Sequence, residues 1–130
     1  MKVIKHKSLG YAEIIVYDNS IFHIHFLSKV PLNINQAKEI GVLRLSLMEN
    51  DKALVLSTSK DRFVVPTNEA IAYIQSANRM NHVKANAFVI SSFSQRLAVK
   101  TAQRLNKMPT PISFFSNIED AIEWLLKQEN

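Results

Sequence analysis

Two stretches constrain the fold of this chain more than any other feature. Residues 52–58, KALVLST, and 84–91, KANAFVIS, carry apolar side chains on largely consecutive positions. A strand with one wet face alternates, whereas a continuous apolar run needs cover on both faces, as in a parallel sheet. Parallel neighbours also require a long crossover between them, usually a helix, and helical spacing is what the intervening segments show. Residues 33–48 place Ala37, Ile40, Leu43 and Leu47 on one face, and Asn33 with Gln36 forms a variant of the capping box. Thr67 opens a second helix with Ala70, Ile71, Ile74 and Ala77 inward. SFSQRLAVKTAQRLNK, from Ser92, is a third, with Leu97, Ala98, Thr101 and Leu105 inward. Pro109 and Pro111 end it, ISFF (112–115) is a short last strand, and SNIEDAIEWLLKQ is the closing helix.

Ahead of these, Tyr11–Tyr17 and Ile21–Leu27 read as a hairpin around Asp18-Asn19-Ser20. A three-residue loop sets Ala12, Ile14 and Val16 opposite Phe26, Ile24 and Phe22, which makes one apolar face. Glu13 and Ile15 then oppose His25 and His23 on the other. A two-residue loop would mix the faces, because slipping by one residue turns every side chain over. The three-residue loop is therefore expected, although Ser20 stands where such a loop prefers glycine.

The order is β-β-α-β-α-β-α-β-α: a single α/β domain over 1–130 with a five-stranded, mostly parallel mixed sheet and four helices. Residues 1–9 are left as a basic, less ordered segment. With 47% hydrophobic residues and only two glycines and four prolines in 130 residues, the chain has material for one core. Cysteine is absent, which excludes disulfides, thiolate metal sites and cysteine nucleophiles. Neither a signal-peptide apolar run nor a membrane-length apolar stretch occurs, so a cytoplasmic protein is expected.

A net charge of +5 raises the question of nucleic acid. Lys2, Lys5 and Lys7 cluster, and Arg96, Lys100, Arg104 and Lys107 recur at helical spacing. Aromatics are not interleaved with them as a stacking platform requires, and a basic stripe is ordinarily a solvated helix face. Nucleic-acid and membrane partners are not expected, and self-association is left open.

In an open parallel sheet, ligands gather beyond the carboxyl ends of the strands. That rim is rich in hydroxyls: Ser57 and Thr58 end one strand, Ser91 and Ser92 another, and Ser116 follows the last. Ser92 with Gln95 and Ser116 with Glu119 match the capping box, which accounts for those two serines. Thr67 has Ala70 three residues on, so it caps without a reciprocal partner. Phe63, Val64 and Val65 before it are more apolar than a free loop, and either pack down or line a partner surface.

Taken together, the strand ending in Ser-Ser, the Lys-Met-Pro segment, the short ISFF strand and the closing Ala-Ile-Glu-Trp-Leu make the chain resemble the STAS family and its SpoIIAA-like relatives. It looks closest to an uncharacterised bacterial SpoIIAA-like group. The likeness runs from about Tyr11 to Lys127, with the hairpin IIVYDNSIFHIHF included. It implies a regulatory module that binds a protein partner. In the anti-sigma antagonists of that family an Asp-Ser-Ser-Gly segment holds a phosphorylated serine. Here the segment falls on Val65-Pro66-Thr67-Asn68, so the resemblance implies Thr67 as the position for phosphorylation, although the aspartate and glycine are gone. Relatives that share architecture with CRAL-TRIO lipid-binding domains imply, as the alternative, a small apolar or anionic ligand at the rim.

Other chemistries find little footing. His23 and His25 share a strand face, a spacing that can chelate a metal with Glu13 as third ligand, and His6 adds a fourth only if the N-terminus folds over. Without a convincing further ligand, they are read as polar residues on the less buried face of an edge hairpin. Glu119, Asp120 and Glu123 sit where a helix dipole favours negative charge. No phosphate-binding glycine loop or nucleophile elbow is present. The expectation is a non-enzymatic module without cofactor.

Overall fold

In the computed structural model, residues 1–48, 53–61, 64–76, 83–90, 92, 95–97 and 110–128 are described. The elements are β1 (Val3–Ser8), β2 (Ala12–Tyr17), β3 (Ile21–Phe26), α1 (Ile34–Leu47), β4 (Ala53–Ser59), α2 (Asn68–Ile74), β5 (Val83–Val89), β6 (Ile112–Phe115) and α3 (Ile118–Lys127), with a helical turn at 95–97. The six strands lie in sequential order. β1, β2 and β3 pair antiparallel, and β3 through β6 pair parallel.

The sheet thus has six strands rather than five. The additional one is the N-terminal segment, and its lysines concealed it. Gly10, at φ 86°, is the first of two loop residues, and Leu9 N–H donates to Ala12 C=O at 2.9 Å. That is the glycine position of a type II′ hairpin turn. Lys5 Nζ donates to the Leu47 carbonyl at 2.8 Å, placing a cation at the C-terminus of α1. Lysines along an exposed outer strand also discourage pairing with other chains.

The β2–β3 register is the one the apolar alternation demands: Ala12↔Phe26, Ile14↔Ile24 and Val16↔Phe22, with Glu13↔His25 and Ile15↔His23 on the other face. Its three-residue loop closes with Ser20 N–H donating to Tyr17 C=O at 3.2 Å and Ser20 at φ 70°.

Two cores sandwich the sheet. On the front, Ala37 and Ile40 of α1 and Ala70 of α2 pack on Ile14, Phe22, Ile24 and Val55. On the back, Ala121 and Leu125 of α3 pack on Ile21, Leu54, Leu56, Ala85 and Ala87, with Trp124 against Phe115. β4 therefore has cover on both faces, as its unbroken apolar run requires. α3 lies over β4, β5 and β6, and among the described residues its cover of the hairpin is confined to the Tyr17 and Ile21 end.

Asn33 caps α1 with both halves of the capping box, and Thr67 caps α2 by accepting from Ala70 N–H at 3.2 Å. Ser92 accepts from Gln95 N–H at 3.4 Å. Ser116 does not cap the last helix. Asn117 does, accepting from Asp120 N–H at 2.9 Å, one residue later than expected. Arg96 is no solvated charge either, since its guanidinium donates to the Phe114 carbonyl at 3.2 Å. Lys100, Arg104 and Lys107 lie outside the described residues. Arg44 of α1, by contrast, is drawn into the interior (3% exposed), while its apolar neighbours Val42 and Leu45 stay exposed. Burial lowers its basicity, and nearby Tyr73 works in the opposite direction.

A left-handed backbone costs a serine on the order of 1 kcal/mol that glycine avoids. Ser20→Gly is therefore expected to raise the melting temperature by about 2–4 °C. An unchanged or lower midpoint in thermal denaturation would show that the loop is not strained.

Candidate functional site

The polar centre of the molecule grows out of IFHIHF, the sequence of β3. Strand alternation turns His23 and His25 to the back face together. Parallel pairing then sets Leu56 beside His23 and Thr58 beside His25. Thr58, 5% exposed at the end of β4, reaches both rings: its Oγ1 lies 2.7 Å from His23 Nε2 and 2.7 Å from His25 Nδ1. On the far side of His23, Tyr17 Oη lies 3.1 Å from Nδ1, and the two rings stack with centroids 6.0 Å apart. Both nitrogens of His23 are thus engaged by hydroxyls, in a side chain that is only 7% exposed.

Beside this chain lies a second group. Glu13, the cross-strand neighbour of His25, accepts from His6 Nε2 at 2.9 Å and from the Ser8 hydroxyl at 3.3 Å. The N-terminus, expected to be less ordered, does fold over, because β1 brings His6 to Glu13. The metal reading does not follow from it. Among the described residues no three His, Asp or Glu side chains converge as ligands do, and His23 has no nitrogen to spare. The histidines, Thr58 and Tyr17 form a hydrogen-bonded chain instead.

Burial, and secondarily the neighbouring His25, push the His23 pKa down to about 4. A buried imidazole with two satisfied nitrogens holds its neutral form because no solvent stabilises the charged one.

The other rim residues do not gather. Ser57 is buried and faces the front, opposite to Thr58, since successive strand residues point to opposite faces. Val65 packs with Ile90 and Phe114 in a third apolar cluster. Thr67 and Ser116 are exposed, and Ser92 is a cap. Phe63 and Ser91 lie outside the described residues. Between α1 and the rim, Tyr11, Phe26, Ser59, Val64 and Pro66 help to line a cleft of about 20 Å³. That is room for a water molecule and far short of an acyl chain. Among the described residues no helix is long and apolar enough to cross a membrane.

Sequence reasoning put Thr58 with the rim hydroxyls and the histidines on a less buried hairpin face, whereas His23 is 7% exposed, and it gave Tyr17 no role beyond ending a strand. The signal that joins them is a pairing of strands some thirty residues apart, which no local pattern encodes.

A mixed sheet with this element order defines the class of the molecule, a SpoIIAA-like α/β domain. An uncharacterised protein of the DUF3478 family from Shewanella loihica PV-4, described as having a SpoIIAA-like fold, superposes with a TM-score of 0.57. The match covers 96% of this chain and 98% of that one at 16% identity, a likeness of fold alone. The chain belongs to the family described as a domain of unknown function, DUF7793, whose model matches residues 15–129. No curated protein matches it.

His23 also sets a pH dependence. The unfolded chain protonates His23 below about 6.5, whereas the folded protein keeps it neutral down to about 4. The resulting stabilisation is complete above pH 6.5 and is lost as pH falls toward 4, in total about 3 kcal/mol. Urea denaturation across that interval should show the loss, and His23→Gln should flatten it. Equal slopes in both proteins would refute the assignment.

Proposed function

We propose that this protein is a non-enzymatic regulatory module that binds an acidic protein partner on a ledge at the carboxyl ends of β3 and β4. The observation that carries the reading is an apolar and basic surface built from two joined segments. After β3, the chain runs through Lys29, Val30 and Pro31, all exposed, with Val30 72% exposed. The segment before α2 is tied to this loop by Thr67 N–H, which donates to the Leu32 carbonyl at 3.0 Å. Lys60, also exposed, is anchored beside it through its N–H to the Phe26 carbonyl at 2.9 Å. A bare valine and proline between two lysines suit a partner that offers an apolar side chain among carboxylates. Thr67 stands exposed at the edge of this ledge. A phosphate added there would carry a charge of about −2 into a basic surface and oppose an acidic partner.

Neither Val30 nor Thr67 belongs to a core cluster, and loss of the Thr67 cap on α2 costs only about 1 kcal/mol, so surface and stability separate in a test. In a tagged pull-down from the native host, Val30→Asp and Thr67→Glu should each lower recovery of a specific acidic protein at least tenfold, and the melting temperature should stay within about 3 °C. Undiminished recovery from both variants would overturn the reading. A small cleft at the same rim does not favour the ligand-carrier alternative.

A further inference from the structure

The chain Tyr17–His23–Thr58–His25 contains a constraint that its distances alone do not state. A threonine hydroxyl has one proton and can donate only once. Two imidazole nitrogens nevertheless sit at 2.7 Å from Thr58 Oγ1. One of them must receive the hydroxyl proton, and the other must carry its own and donate to the oxygen. The two rings cannot be set independently.

Two arrangements satisfy every group. In the first, Tyr17 O–H donates to His23 Nδ1, His23 Nε2–H donates to Thr58, and Thr58 O–H donates to His25 Nδ1. In the second, all three bonds run the other way: His25 Nδ1–H donates to Thr58, Thr58 O–H donates to His23 Nε2, and His23 Nδ1–H donates to Tyr17 Oη. A neutral His25 can take part in either. A charged His25 has a proton on both nitrogens and is compatible only with the second.

We propose that Thr58 couples these side chains into one reversible proton relay, through which charging of His25 at the rim switches the tautomer of buried His23 and turns the Tyr17 hydroxyl from donor to acceptor. The protons balance. His25 gains one, His23 exchanges Nε2–H for Nδ1–H, and Thr58 and Tyr17 each end with the single proton they began with. When the relay itself carries the proton, Tyr17 passes its own to His23 and recovers one from solvent. From His25 to the level of Tyr17, whose neighbour across the hairpin is Ile21, the signal spans four residues of β3, roughly 13 Å. Tyr17 packs against the back core under α3, so the relay joins the rim to that core.

Among the described residues, these groups bear on His25. Glu13 on β2 stands opposite, its carboxylate shared by His6 and Ser8 of β1. Uncharged Thr58 and His23 are its other neighbours, with their rings or hydroxyl already described. Lys60, just beyond β4, is the cation nearest in sequence to Thr58 at the same rim. α3 turns Ala121, Ile122, Trp124 and Leu125 toward the sheet, none of them charged. The inference stands independently of the partner reading, because it concerns bonds inside the folded chain.

Nuclear magnetic resonance of the imidazole nitrogens and the Tyr17 ring carbon bearing oxygen, followed from pH 8 to pH 5, decides it. In the wild type, the His23 nitrogen shifts should exchange Nδ1 and Nε2 identities at the midpoint where His25 charges, and the Tyr17 carbon should step at the same midpoint. Thr58→Val should leave His25 titrating while the His23 and Tyr17 steps vanish, and Thr58→Ser should restore them. A His23 tautomer identical on both sides of the wild-type His25 titration overturns the proposal, whatever the variants do. Persistence of the step in Thr58→Val overturns it as well.

Discussion

The pairing of β3 with β4 is the constraint on which the rest of the molecule depends. Among the described strands, β3 alone has an antiparallel neighbour on one side and a parallel neighbour on the other. It must therefore satisfy two registers at once. A slip of one residue against β4 would turn Leu56 and Thr58 away from the histidines and put their buried neighbours Val55 and Ser57 in their place. Phe22 and Ile24 face the front core while Ile21 faces the back, so the same slip would disturb both cores. Packing on two faces thus leaves the register little freedom, and the polar chain inherits its geometry from that packing.

Uneven cover explains where the polar chain lies. The front carries α1 and α2, whereas on the back, among the described residues, α3 covers β4–β6 and only the Tyr17 and Ile21 end of the hairpin. Polar side chains on β1–β3 can therefore face outward at little cost, as Glu13 and His6 do. His23 sits at the boundary, where the sheet passes under cover, and its burial is tolerable only because Tyr17 and Thr58 satisfy both nitrogens. A buried polar network of this kind rigidifies its surroundings when complete and is costly when one member is removed.

Much of the fold was legible in the residues. The hairpin register followed from apolar alternation, β4 from its unbroken apolar run, and the α1 cap from Asn33 and Gln36. The misses share a cause. β1 was hidden because lysines on an edge strand look like a solvated tail, although Leu9-Gly10-Tyr11 between two alternating runs is a turn signal. Asn117 rather than Ser116 caps α3 because a cap is chosen by the chain's direction of entry, which the carboxyl end of β6 decides. Arg96 was misjudged because a charge was assumed to seek water. A carbonyl on β6 draws it in.

Local chemistry was enough to determine that this chain makes alternating strands and helices, that His23 and His25 share a face, and that Thr58 ends a covered strand. Periodicity and capping act within a few residues, and the sequence displays them directly. Only the tertiary structure decided that Thr58 lies between the two imidazoles, that Tyr17 closes the far end, and that burial holds His23 neutral. Those facts arise from contact between β2, β3 and β4, across a chain separation of 35 residues between His23 and Thr58. Desolvation and hydrogen-bond partnership are properties of what surrounds a residue in space, and neighbours in sequence do not specify them.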